Sequence, residues 1–236
     1  MKPTHPWHER SSKIEEERQF KRLLTLHGLT DAWIHAITPG NEKSHQLERL
    51  PKVALSQNLW FLEKMRLDEL PHELHELVGA QSVPDFLKEF SMTLWTIQLS
   101  HLENALASTE DRIGLINLLQ KTSWNYGKKC CEQLWDITRF DRPDAAYKAF
   151  LQSHFYGDNA FLLERDSSQE LSFLWIHSPL QDLSLRDSPE VKTLCRLHEE
   201  WIRGFFYGLS RSIRFEAKET TTLDRTFFEF TLLSTY

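Results

Sequence analysis

Between Asn159 and Leu233 the apolar residues change their spacing twice, and the order of those changes leaves few folds open. In NAFLLERD and ELSFLWIHSP, on either side of a polar turn near Ser167, the spacing is two: Leu171, Phe173, Trp175 and His177 share one side, Ser172, Leu174 and Ile176 the other. From Pro189 the spacing becomes three and four, placing Val191, Leu194, Cys195, His198, Trp201, Ile202, Phe205 and Leu209 on one helical stripe. It returns to two in SIRFEAKE, where Ile213, Phe215 and Ala217 alternate with Arg214, Glu216 and Lys218, and in TFFEFTLL beyond the turn TTTLDR. Strand pairs joined without parallel crossovers make an antiparallel sheet, and its apolar face has to be covered by helices. Ser188 and Pro189 suit the helix start, the serine as a cap and the proline at the first helical position. Gly204 and Gly208, one turn apart, each cost about 1 kcal/mol in a helix interior against alanine, so the spacing predicts a close approach by a neighbouring element. If the Cα of Gly208 faces the sheet, Gly208→Leu should disrupt the domain, because an inserted side chain must displace core atoms; an unchanged melting temperature would place Gly208 on the surface instead.

The first half of the chain reads as helical throughout. Residues 1 to about 11, with Pro3 and Pro6, read as an arm. Helices follow from about Ser12 to His27, over LTDAWIHA, from about Lys52 to Leu67, from Pro71 to Val78 and from Val83 to Ala107. Two more, from Glu110 to about Ile137 and from Asp144 to about Phe155, lead into the first strand. The fold class expected is therefore α+β: a helical N-terminal half, then a four-stranded antiparallel sheet covered by helices. Residues 1–110 are expected to form a helical extension packed on a main domain of residues 111–236.

Charge and cysteine content narrow the function. A net charge of −6 with no basic block argues against nucleic-acid binding, which needs clustered Lys and Arg. No apolar run is long enough to span a bilayer, and the start of the chain lacks the apolar core of an export signal. Three cysteines, two of them adjacent, make no disulfide framework, so a cytoplasmic setting is expected.

The series CRLHEEWIRGFFYGL, the strand IRFEAKE and the closing DRTFFEF resemble the 4-vinyl-reductase-type domain over roughly Arg112 to Leu233. Sensory domains of aromatic-responsive bacterial regulators and Golgi transport-complex (TRAPP) subunits share that fold class. The resemblance places Gly204 and Gly208 on the family's spaced glycines, Glu216 or Glu219 on its acidic strand position, and Phe228 or Phe230 on the aromatic of its last strand. Zinc-binding members carry thiolates where this chain has Lys218-Glu219-Thr220 and Thr226-Phe227-Phe228, so no metal and no cofactor is expected.

The residues that could carry chemistry are few. His72 and His75 lie three apart near Glu76, without the H-E-x-x-H spacing, and a polar surface helix explains them better; His5 and His8 fall in the expected arm. Cys130 and Cys131 read as small buried residues. Cys195 and His198 are a thiol and imidazole at contact spacing, a weak candidate for nucleophilic catalysis of the kind thiol-dependent hydrolases of small heterocycles use, although packing accounts for their stripe. Trp124, Tyr126, Trp175, His177, Trp201, Phe205 and Tyr207 form the candidate ligand-binding set. The resemblance implies a small apolar or aromatic ligand held between sheet and helices, which makes a ligand-binding or sensory module the first expectation. The alternatives are a scaffold acting through homodimerisation or a partner protein without ligand, and the thiol-dependent hydrolase.

Overall fold

The computed structural model describes residues 6–37, 82–134, 140–156, 160–167, 169–175, 188–221 and 226–235. It is an α+β fold: helices α1 (Pro6–Ile37), α2 (Val83–Ser108), α3 (Arg112–Leu134) and α4 (Pro143–Ser153), strands β1 (Phe161–Asp166) and β2 (Glu170–Trp175), helix α5 (Pro189–Leu209), and strands β3 (Ile213–Thr221) and β4 (Thr226–Ser234). The four strands are antiparallel in the order β1-β2-β4-β3, so the two hairpins pair through β2 and β4. Phe173 faces Phe230 and Trp175 faces Phe228 across that join, and the register carries the apolar face across the whole sheet.

Helices α4 and α5 cover that face. Tyr147 and Phe150 of α4 lie 4.7 and 5.9 Å from Phe173, and Phe206 of α5 lies 6.1 Å from Phe173 and 5.4 Å from Phe215, ring centre to ring centre. The opposite side of α5 meets α3, so this helix is buried on more than the single stripe its spacing predicts: Leu197, Gly204, Phe206 and Gly208 are buried as well. Its start is capped as expected, with Ser188 Oγ accepting from the Val191 N–H at 3.2 Å.

Glycine positions set how closely the helices pack. A Cβ on Gly127 would strike the Trp201 carbonyl, and one on Gly204 the Trp124 carbonyl; one on Gly208 would lie 3.0 Å from the Lys128 carbonyl. The matched pairs advance together along both chains, so α3 and α5 run parallel with their backbones in contact. Gly208 thus faces α3, neither of the two places, sheet or surface, that the sequence reading weighs for it. The sheet side of α5 is occupied by large rings, and only its α3 side comes close enough to need glycine.

Helix α1 also departs from expectation. It runs unbroken where the sequence suggests two helices parted near Gly28, and it starts at Pro6 where an arm was expected. Gly28 is not a break. Its missing side chain makes room for the Tyr126 ring and hydroxyl of α3, which a Cβ there would strike. The helices expected over 52–67 and 71–78 lie outside the described residues. Leu26, Leu29 and Trp33 of α1 and Leu94 and Trp95 of α2 belong to the same core cluster as Phe173, Trp201 and Phe230. Arg22, itself buried, donates from Nη2 to the Leu151 carbonyl (2.5 Å) and from Nε to the Gln152 carbonyl (3.4 Å), and so caps the end of α4.

Candidate functional site

The centre of the fold holds a chain of buried polar groups that crosses four segments. Thr30 of α1 donates its hydroxyl to the Leu26 carbonyl at 2.9 Å, and Gln98 Nε2 of α2 donates to Thr30 Oγ1 at 2.8 Å. That fixes the amide: Gln98 Oε1 faces His198 Nε2 of α5 at 2.8 Å and accepts its proton. His198 is therefore the neutral Nε2–H tautomer, and its Nδ1 accepts from the Tyr156 hydroxyl at 3.2 Å. All four side chains are buried, and every donor in the series points the same way. Burial holds the His198 pKa down to about 3 and raises that of Tyr156 well above its ordinary value.

Aromatic rings enclose this chain. Trp95 lies tilted against His198 at 4.4 Å, Trp33 meets it edge-on at 5.6 Å, and Trp33 Nε1 donates to Ser123 Oγ of α3 at 2.9 Å. Tyr156 contacts Trp175 of β2 at 4.8 Å, and Phe155 contacts Trp201 at 4.8 Å. The space between β2 and α5, where the sequence suggests a ligand, holds Phe150, Phe155 and Tyr156. Trp201 is not the direct cover of Trp175.

The sequence-predicted set is thereby divided. Trp175, Trp201 and Phe205 lie in the buried interior. Tyr126 lies between α3 and α1, its hydroxyl beside the Cys130 thiol and its pKa raised by burial first and by Cys130 second. Trp124 and Tyr207 form a separate pair on the outer side of the α3–α5 contact, 5.0 Å apart, with Lys128 Nζ about equally near both rings (6.0 and 5.9 Å). His177, His72, His75, Glu76 and His5 lie outside the described residues, as does the side chain of His8.

The weak catalytic pair gains little. Both ring nitrogens of His198 are engaged, one by Gln98 and the other by Tyr156, and the ring stays neutral through the physiological range, so it is not placed to activate Cys195. Burial also pushes the Cys130 thiol up to about 11, against the lowering effect of Tyr126 and Trp201, and the Cys131 thiol up to about 12. Such thiols are inert. Thr30, Gln98 and Tyr156 were missed from the sequence. Their signal was present only as single polar residues on apolar helical faces or in a loop, and nothing local says that three of them meet.

The element order and strand order define a class, the four-stranded antiparallel α+β fold with helices over one face. Among solved structures this chain is similar to a trafficking protein particle complex subunit 3 from Naegleria fowleri, described as covalently bound to palmitic acid, at 19% identity and a TM-score of 0.44 over 62% of this chain and 96% of that one. No family model matches the sequence, and no curated protein matches it. Among the described residues no helix is long and apolar enough to cross a membrane.

Proposed function

We propose that this protein is an interaction scaffold that works through its surface, of the kind the transport-complex branch of its fold class represents, in a reducing cytoplasmic setting where Cys130, Cys131 and Cys195 remain thiols. One observation carries this reading. The interior rings expected to line a ligand site pack against one another, as Trp175 does on Tyr156 and Trp201 on Phe155, whereas Trp124 and Tyr207 sit together on the outer side of two packed helices. Tyr and Trp at a surface are favoured anchors for another protein. On this reading residues 1–110 and 111–236 are one working unit, because Thr30 and Gln98 share a buried hydrogen-bonded chain with Tyr156 and His198.

A second reading, the ligand-binding or sensory module of 4-vinyl-reductase type, is favoured by one feature. The Trp95 indole N–H is buried and meets no acceptor among the described residues, and an unpaired buried donor is a place where a small acceptor-bearing molecule gains a strong hydrogen bond. The palmitic acid of the Naegleria fowleri subunit makes a fatty acyl chain one molecule to try.

Native mass spectrometry of the purified protein tests both readings together. The scaffold reading expects protein assemblies and a mass matching the bare polypeptide. A small molecule retained on every chain would overturn it in favour of the second.

A further inference from the structure

Among the described residues the sheet ends in two edge strands, and the two edges are built differently. Strand β1 has six residues and an irregularity between Leu163 and Arg165 that leaves Glu164 without a partner on β2, the kind of bulge that spoils an edge for further pairing. Strand β3 has nine residues and runs in unbroken register with β4 from Ile213 to Thr221. The Thr235 N–H donates to the Ser212 carbonyl at 3.0 Å, which fixes the phase of that ladder. Even-numbered residues of β3 bond to β4, so Ile213, Phe215, Ala217 and Glu219 turn their backbone N–H and C=O groups outward along the edge. Their side chains lie on the helix-covered face, where Phe215 and Ala217 are only partly buried. Arg214, Glu216 and Lys218 stand exposed on the other face.

We infer that this edge joins two copies of the chain, β3 lying antiparallel to β3 about a two-fold axis at Phe215, so that two sheets become one. An axis normal to the sheet keeps both helix-covered faces on the same side and pairs residues of like parity. Ile213, Phe215 and Ala217 then exchange backbone hydrogen bonds with Ala217, Phe215 and Ile213 of the other copy. Phe215, already packed on Phe206 and Phe230 at 5.4 and 5.5 Å, meets its own copy at the axis. Backbone and ring supply the attraction, and charge selects the register. Arg214 and Glu216 bond each other at 2.9 Å; the two-fold lays that pair beside its copy in the reverse sense, so each charge gains an opposite one directly across the join. Centring on Glu216 would instead set Glu216 against itself and Arg214 against Lys218, and centring on Ala217 would set Phe215 against Glu219. The other charges near the edge do not oppose the Phe215 register. Lys218 falls opposite Ser212 and keeps Glu229 of β4 beside it, while Glu219 is bonded by Arg196 at 3.0 Å and has Arg211 of the other copy toward it. Arg203, over the Phe215 ring at 5.6 Å, is held by Glu199 and Glu200. The inference rests on the scaffold reading and adds to it a contact between copies, made by residues other than Trp124 and Tyr207.

The test uses the full chain and two variants, Arg214→Glu and Glu216→Arg, both at exposed positions. Light scattering after size exclusion, over a dilution series, should show the wild type as a dimer. Each variant alone should weaken the dimer by about tenfold or more, since like charges then face each other across the join. An equal mixture of the two should recover it, because every Arg again meets a Glu, and so should a chain carrying both substitutions. Arg214→Glu also separates the registers: with the axis at Ala217 it would face Thr220 and have no effect. Amide exchange followed by NMR reads the edge itself. The Phe215 and Ala217 N–H groups should exchange slowly in the dimer and quickly on dilution, whereas those of Arg214 and Glu216, bonded to β4, should stay protected in both. A monomeric wild type, a single variant that dimerises as the wild type does, a mixture that fails to recover, or Phe215 and Ala217 amides indifferent to dilution would each overturn the contact. Any of these leaves the scaffold reading standing with other partners. A small molecule retained on every chain would overturn that reading itself.

Discussion

Gly204 lies against the Trp124 carbonyl so closely that no side chain fits between α5 and α3. Gly204→Ala and Gly127→Ala should each destabilise the fold by about 1–3 kcal/mol, because the clash is with backbone, which cannot swing aside. Gly208→Ala should cost far less. Its Cβ would sit 3.0 Å from the Lys128 carbonyl and 3.2 Å from the Cys131 Cβ, and the gain of about 1 kcal/mol in helix propensity offsets much of that crowding. Urea denaturation midpoints of the three variants should rank accordingly; a Gly208 variant as weak as the Gly204 one would contradict the packing.

Stability should fall in mild acid because of His198. Its pKa is about 3 in the folded chain against 6.5 when solvated, so between those values the unfolded state binds the extra proton. The contribution is complete above pH 6.5 and is lost as pH falls toward 3, at up to roughly 1.4 kcal/mol per pH unit. A His198→Phe variant should lose this slope. Comparing urea midpoints of wild type and variant at neutral and mildly acid pH checks the sign, and identical slopes would count against it.

Gln98→Leu should destabilise by about 1–3 kcal/mol, since it leaves the buried His198 N–H without its acceptor and Thr30 without a donor. Replacing Gln98 by Glu supplies an acceptor but buries a carboxylate, and should raise the His198 pKa. Imidazole titration followed by NMR would report that shift.

Trp175→Ala should cost about 3–5 kcal/mol as a core truncation. Tyr207→Ala, at a half-exposed site, should stay within about 0.5 kcal/mol. If the scaffold reading holds, Tyr207→Ala changes assembly more than it changes the melting temperature, and Trp175→Ala does the opposite.

The fold class was legible because it depends on spacing. Period two in ELSFLW and IRFEAKE, and three-and-four from Val191 to Leu209, report local geometry that tertiary contacts only reinforce. The interior was less legible. Trp175 and Trp201 are visible as buried aromatics, yet whether rings enclose a space or fill it depends on Phe150, Phe155 and Tyr156 arriving from another segment. The expected break between the helix ending at His27 and the one over LTDAWIHA fails for a related reason: a glycine that ends a helix and one that admits a tyrosine ring look alike until Tyr126 is in place. The Thr30–Gln98–His198–Tyr156 series joins residues that no single period connects.

The clamp of Arg22 on the end of α4 also bears on how the chain is made. Arg22 leaves the ribosome 130 residues ahead of the Gln152 carbonyl it will cap, and Thr30 leads Gln98 by 68. At about 5–20 residues per second the first of these intervals lasts on the order of 10 s. Through it, Leu26, Leu29 and Trp33 stand on a nascent helix whose later partners do not yet exist, so α1 is where a chaperone that shields apolar surface during synthesis has most to do.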